Sequence, residues 1–352
     1  MFVPVTHYLS LTKIRRERML PLPGMVLVTA GQIVNATDVI AETRLANQHL
    51  LLDVAQTLGI APHHTHDHLN VAINQMVAKG DVIAGPVGFP PRSLRSPQDG
   101  KVVHINDGKI LLELDSQPYQ LQAGLEGVIQ KVVPERGAIL ETYGALVQGM
   151  WGNGRIAQGN LKRFAPSTGS ELTCDDLEGD LSGSILLSGH ISRAETIKCC
   201  KEYSIRGLIL ASLPASLVPL AAQCDFPIIV LEGFGKIPMN SAAFKILSAN
   251  EGKEIAVNAS GWERYSDTRP EVIIPLPATF ETNFPLTDAI LTPGQSVRIN
   301  SSTMKGIIGK LIALNKEQAV LANGLKVPVA TIHLENGESI CVPLANLEVL
   351  AQ

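Results

Sequence analysis

Aromatic side chains are scarce in this sequence, 4% of 352 residues although 45% are hydrophobic. Its cores therefore have to be aliphatic, and it has little with which to stack on nucleic-acid bases. Positive charge is not in excess either. Its 29 Lys and Arg face 33 Asp and Glu, a formal net charge of −4, which leaves no broad basic field for nucleic acid or an anionic membrane. Cysteine is sparse and badly placed for a disulfide framework: Cys174, Cys199, Cys200, Cys224 and Cys341 are odd in number, and none forms a Cys-x-x-Cys pair. Cys199 and Cys200 fall together in a segment of helical pattern, so the sequence predicts reduced, mostly buried thiols and a cytoplasmic location. No secretory leader is expected, because the short apolar start "MFVPVTHYLSL" precedes the basic "KIRRER" instead of following a basic stretch. The longest uncharged run, 207–224, reaches membrane length but holds two prolines and several polar residues, and it reads as a turn between two core elements.

Glycine and proline are plentiful, 30 and 22 residues, and 18% of the chain is charged. That composition suits small β-rich domains with many turns, and the length allows two or three of them. Residues 1–163 read as strand and turn with a helical insert. "GMVLVTAGQIVNATDVIAET" is two short alternating runs joined at Ala30-Gly31. "ANQHLLLDVAQTLGI" shifts to helical spacing, with Leu51, Val54, Ala55 and Leu58 on one face. Thr65 is placed to cap a second short helix ending at Gly80. Glycine-rich punctuation then separates short strands. Among them, "AKGDVIAGPVGFPPRSLRSPQDGKVV" sets Gly80-Asp81 and Pro97-Gln98-Asp99-Gly100 on either side of a hairpin whose tip is Phe89-Pro90-Pro91.

Those turns resemble the flanks of the biotinyl/lipoyl barrel-sandwich hybrid. That fold also occurs without a carried group, in membrane-fusion adaptors, electron-transport subunits and the large subunits of RNA polymerase, so the resemblance implies a fold and not an activity. A carrier presents a lysine at the hairpin tip. Here the tip offers Pro90, Pro91, Arg92 and Arg95, so no biotin or lipoyl cofactor is expected, and the domain reads as a rigid mount.

Residues 164–181 are polar and acidic and read as a linker. Asp175, Asp176, Glu178 and Asp180 lack the alternate spacing and bend glycine of a calcium loop. Residues 182–260 alternate buried strands with helices, the first helix, "SRAETIKCCKEYSI", capped by Ser192 with Glu195 at the capping-box position. This is the pattern of a small, mainly parallel α/β domain, and it resembles swivelling β/α/β modules. A Pro-rich connector covers 261–287. Residues 288–352 resemble a KOW-type SH3-like β barrel, with Gly294, Arg298, Gly306 and Gly309 at turn and bulge positions and hairpins at Asn323-Gly324 and Asn336-Gly337. The expected fold class is multi-domain and mainly β with α/β.

Three candidate sites follow. His63, His64, His66, Asp67 and His68 form a metal-like cluster, imidazole suiting zinc, copper or nickel, although clustered loop histidines are often only polar surface. The carboxyl ends of the α/β strands, where ligands of open parallel sheets bind, display His190, Ser192, Ser212, Glu232, Gly233 and Gly235. An acid–base set there requires His190, Ser192 and Glu232 to converge. Trp151, Arg298 and Lys305 are candidates for a protein-facing surface, Trp151 alternatively covering a core edge. "KIRRER" reads as a solvated lead-in.

The whole layout resembles an uncharacterised bacterial family that strings together a lipoyl-like region, a small α/β domain and a KOW-like barrel. With no complete catalytic set, the expected function is a scaffold or adaptor whose partner is protein. A transcription-associated, nucleic-acid-binding role is the first alternative. It is opposed by the balance from Asp288 onward, where five basic residues meet five acidic ones. A ligand-binding or enzymatic α/β module is the second.

Overall fold

A computed structural model describes residues 2–44, 49–114, 118–263, 268–277, 284–286, 288–300, 306–321 and 323–351. It is mainly β with mixed sheets, and no closed barrel forms among the described strands. The chain divides into two compact units: Met1–Met19 with Val28–Ile40 and Gln122–Gln352, and Leu20–Leu27 with Ala41–Leu121. No helix among the described residues is long and apolar enough to cross a membrane.

In the smaller unit, His49–Asp53, Lys109–Leu114, Gly100–Asn106 and Met76–Val77 form an antiparallel sheet in that order. Alternation turns Val102, Ile110 and Leu112 onto Val54, Leu58 and Ile83 of its core. Asp107 and Gly108, both at positive φ, make the tight turn that the Asp-Gly pair predicts. The two expected helices are largely absent. Helix is confined to Val54–Leu58, started by the Asp53 carboxylate accepting the Gln56 N–H and ended at Gly59 with φ 67°. His49–Asp53 is strand, because pairing with Lys109–Leu114 satisfies its backbone and lets Leu50 and Leu52 pack on the core. The second segment makes a 3-10 turn at Pro62–His68, in which the Thr65 hydroxyl donates to the Pro62 carbonyl instead of capping a helix. It then continues without helix, the Asn70 N–H donating to Ile83 and that of Asn74, in a turn at φ 70°, to Val102.

The larger unit is organised on the long strand Phe2–Met19. This strand pairs antiparallel with Gly137–Gln148 and with Asp288–Ile290, and parallel with Leu347–Ala351. The strands Ser184–His190, Gly207–Leu213 and Ile228–Phe234 are successively parallel, in keeping with the α/β pattern, and Ile156–Arg163, read with the first region, pairs parallel with Ser184–His190. Glu254–Asn258 and Glu271–Pro275 continue the sheet antiparallel and join it to Gly137–Gln148. One face packs Leu186, Leu208, Leu210, Ile228 and Val230 against Ile197 and Cys200 of the helix Ala194–Glu202. The other packs Ile185, Leu187, Ile209, Ala211 and Leu231 against Ala243 and Leu247 of Ser241–Ala249.

Residues 164–181, read as a linker, form a strap on the first of these faces. Leu172, Leu177 and Leu181 are buried in its core, and Cys174 is disulfide-bonded to Cys199. That bond departs from the expectation of five reduced thiols: Cys199 faces the strap while its neighbour Cys200 faces the core. In the C-terminal part, Ser296–Ile299, Ile307–Val320, Lys326–Leu334 and Ser339–Pro343 pair consecutively, with Gly324 and Gly337 at positive φ in the expected hairpins. Leu347–Ala351 returns to pair with Ser296–Ile299.

Candidate functional site

Consider first the ends of the parallel strands. His190 lies beside Ser212 in the register, and its Nδ1 is 3.1 Å from the Ser212 hydroxyl, which also accepts the Ile237 N–H at 3.0 Å. Burial lowers the His190 pKa against the opposing pull of Glu171. Glu232 does not join this pair. The pairing of Gly207–Leu213 with Ile228–Phe234 shifts by one residue between Leu210 and Ser212, so Leu231 and Glu232 together oppose Ala211. A bulge of this kind re-aims a side chain. It sends Glu232 to the face that carries Leu231, and Gly233, at φ 124°, returns to the face of Ser212. His190 and Ser212 therefore occupy one side of the sheet and Glu232 the other.

On its own side, Glu232 belongs to a buried ionic network. One carboxylate oxygen accepts the Asn240 N–H at 2.8 Å, and the other accepts from Arg298 Nη2 at 2.7 Å. Arg298 Nη2 also donates to the Tyr8 hydroxyl, and Nη1 is 3.7 Å from Glu348. Glu348 accepts from Arg269 at 2.7 Å and from the Thr6 hydroxyl. Arg298 is wholly buried and Glu232, Glu348 and Tyr8 nearly so, which corrects the expectation that Arg298 belongs to an exposed working surface. Burial drives the Glu232 pKa up against the pull of Arg298. Burial would also raise Glu348, but Arg298 and Arg269 together outweigh it and hold the carboxyl below its usual range. Two arginines and two glutamates balance in charge, and all four side chains are largely withdrawn from solvent. The arrangement locks four strands together: Phe2–Met19, Ile228–Phe234, Ser296–Ile299 and Leu347–Ala351.

The remaining candidates fall elsewhere. Ser192 does not cap the helix, whose first residue is Ala194; its hydroxyl donates to Glu171 instead. Gly235, at φ 118°, turns the chain so that its N–H reaches Leu213. His63, His64, His66 and Asp67 are exposed along the 3-10 turn, with His68 half-buried. Among the described residues no three His, Cys, Asp or Glu side chains are grouped so as to hold a metal ion. Trp151 packs on the α/β core, edge-on to Phe234 with ring centroids 6.2 Å apart, the role of covering an edge. Lys305 lies outside the described residues. "KIRRER" is part of the long paired strand and not a free lead-in.

Sequence reasoning missed Thr6, Tyr8, Arg269 and Glu348. In Val297-Arg298-Ile299 and Leu347-Glu348-Val349 a charge sits between two apolar residues, and nothing local says that a second apolar layer covers its side. No family model matches the chain, and no curated protein is similar to it.

Proposed function

We propose that this chain is a non-catalytic scaffold that binds other proteins, assembled from a lipoyl-like β unit without an attachment lysine, a small α/β layer and an SH3-like set of C-terminal strands. The observation that supports this reading is Phe89. Its ring is fully exposed, at 101% of the reference area, at the tip of the hairpin Val82–Val87 and Arg92–Arg95, where a carrier would hold its lysine. The loop is short and braced: Val87 pairs with Arg92, Gly88 takes φ 78°, and Pro90 and Pro91 follow the ring. An aromatic anchor on a stiff tip loses little conformational entropy when a partner pocket closes on it. Placement of His190 and Ser212 opposite Glu232 speaks against the catalytic alternative.

Burying a Phe ring stabilises a complex by about 1.5–3 kcal/mol, which is roughly 10- to 100-fold in affinity. Cross-linking and affinity capture from the native host, comparing the wild-type chain with Phe89→Ala, tests the reading. Specific partners should fall by roughly that factor in the variant while its unfolding midpoint stays unchanged. Equal recovery by both proteins would overturn it, as would an intact mass that reveals a covalently carried group.

A further inference from the structure

The disulfide between Cys174 and Cys199 has no part in the scaffold reading. The strap that carries Cys174 is attached unevenly. At its start, backbone hydrogen bonds sew it to the sheet: the Phe164 and Ala165 N–H groups donate to Leu187, that of His190 to Ser170 and that of Leu172 to His190. At its end, Leu181 is buried and the chain turns into the strand Ser184–His190. Between these ends, the hydrogen bonds of 173–180 stay local. Thr173 and Asp176 cap each other, the Leu177 N–H donates to Cys174, and Asp180 accepts from Ser182. What ties this turn to the α/β layer is the burial of Leu177 and the bond from Cys174 to Cys199 on the helix Ala194–Glu202.

Of these two fastenings the disulfide is the stronger. Burial of one leucine offsets only part of the backbone and side-chain entropy lost in ordering the turn. The turn also carries charge of one sign: Asp175, Asp176, Glu178 and Asp180 are exposed, and their mutual repulsion favours an open chain. The disulfide, spanning a separation of 25 residues, supplies the restraint that the leucine does not. Both of its cysteines are half-buried, so the bond lies at the edge of the core, within reach of a thiol from solution. The neighbouring thiols are not suited to attack it. Cys200 and Cys224 are buried, and burial pushes the Cys200 thiol up to about 12 and raises that of Cys224.

We propose that the Cys174–Cys199 bond is a redox latch, opened by a dithiol reductant, that holds the acidic turn 173–180 against the helix Ala194–Glu202. Once it opens, the turn leaves the helix, withdraws Leu177 from the core and uncovers the apolar seat beneath, while the ends of the strap stay bound. One thiolate of the dithiol attacks one sulfur of the bond and forms a mixed disulfide, releasing the other cysteine as a thiolate that takes a proton. The second thiolate of the dithiol then attacks the dithiol's own sulfur in the mixed disulfide. It frees the second cysteine, which is protonated in turn, and leaves the reductant as a disulfide. Two electrons and two protons pass to the protein, all from the dithiol. Oxidation returns the same pair, because the bound ends keep Cys174 close to Cys199.

The test compares the full chain oxidised and after excess dithiothreitol, alkylated without denaturant and mapped by mass. Reduction should open Cys174 and Cys199 to iodoacetamide while Cys200 and Cys224 stay protected. Cleavage by a glutamyl endopeptidase after Glu178 should quicken by at least about tenfold, a factor within the restraint that such a disulfide supplies. Amides over 173–180 should lose protection at exchange times when Ser184–His190 and Gly207–Leu213 still keep theirs. Reoxidation by glutathione disulfide should restore the closed pattern. A Cys174→Ser, Cys199→Ser variant should show the open pattern in either buffer; should it not fold, the reduced wild type carries the comparison. The proposal is overturned if the bond resists dithiothreitol until urea unfolds the chain, or if reduction leaves cleavage and exchange over 173–180 unchanged. It is also overturned if 173–180 loses protection only together with the parallel strands, which would make the bond a staple of the whole layer. None of these outcomes bears on Phe89, which lies in the other unit.

Discussion

A guanidinium without solvent contact must be held by opposite charge, and Arg298 is held by Glu232 at 2.7 Å with Glu348 at 3.7 Å. Its Nε and Nη1 have no hydrogen-bond partner among the described residues, so the arginine is held by charge more than by hydrogen-bond saturation. Removing one member of such a set leaves the other buried and uncompensated, which costs about 3–5 kcal/mol. Arg298→Met should lower the unfolding free energy by about that amount in urea denaturation. Adding Glu232→Gln to Arg298→Met should recover part of the loss, since the orphaned charge goes with it. A double variant no more stable than Arg298→Met would show that Glu232 is already neutral in the fold. Residues of this kind are the least legible in a sequence. The sequence reading puts Arg298 at a turn or bulge position on a protein-facing surface, and only the tertiary partner decides between that surface and a second layer.

Elements were legible where pattern and tertiary demand agree. The Ser184–His190, Gly207–Leu213 and Ile228–Phe234 strands each hold a run of Leu, Ile or Val, and burial on both faces suits such runs. The His49–Asp53 strand and the non-helical chain after Pro62–His68 were not legible, because their residues also suit a helix and the choice is made by partner strands elsewhere in the unit. The strap at 164–181 was hidden by its charge. Leu172, Leu177 and Leu181 recur at intervals of four to five in a polar segment, and that spacing is what fastens it. Its disulfide closes a separation of 25 residues, a constraint worth about 3 kcal/mol. Cys200 is buried beside it, its thiol pushed up to about 12 by burial and by Cys224, so it is a poor nucleophile for exchange. Replacing both Cys174 and Cys199 by serine should therefore lower stability by about 3 kcal/mol. Hydrogen exchange should speed up over 164–181 before it does in Gly207–Leu213. Unchanged exchange and midpoint would mean that the leucines alone hold the strap.

At the scale of the whole molecule, the larger unit depends on contacts between distant parts of the chain: Phe2–Met19 pairs with strands near residues 140, 290 and 349. Any group that must keep its charge state along that strand couples acidity to the integrity of the entire unit. His7 is such a group, and His190 a second one in the same unit. Both have folded-state pKa values below the ordinary 6.5, chiefly because burial penalises the imidazolium. The unfolded chain therefore binds more protons than the folded one as pH falls through 6.5, and stability declines with falling pH until the lowered folded-state values are passed. Glu348, held below its usual range, extends the loss into the carboxylate region, whereas Glu232, raised by burial, works in the opposite direction there. Between pH 7.5 and 5.5 Glu232, raised by burial, opposes the histidines, so their part is read as the difference between the wild type and a variant that lacks them. The slope of the larger unit's urea midpoint over that range should flatten in a His7→Gln, His190→Asn variant whose stability at pH 7.5 is set as its own reference. A double variant whose slope is no flatter than that of the wild type would show that the imidazoles are not penalised on folding, which is the reverse of what their burial implies.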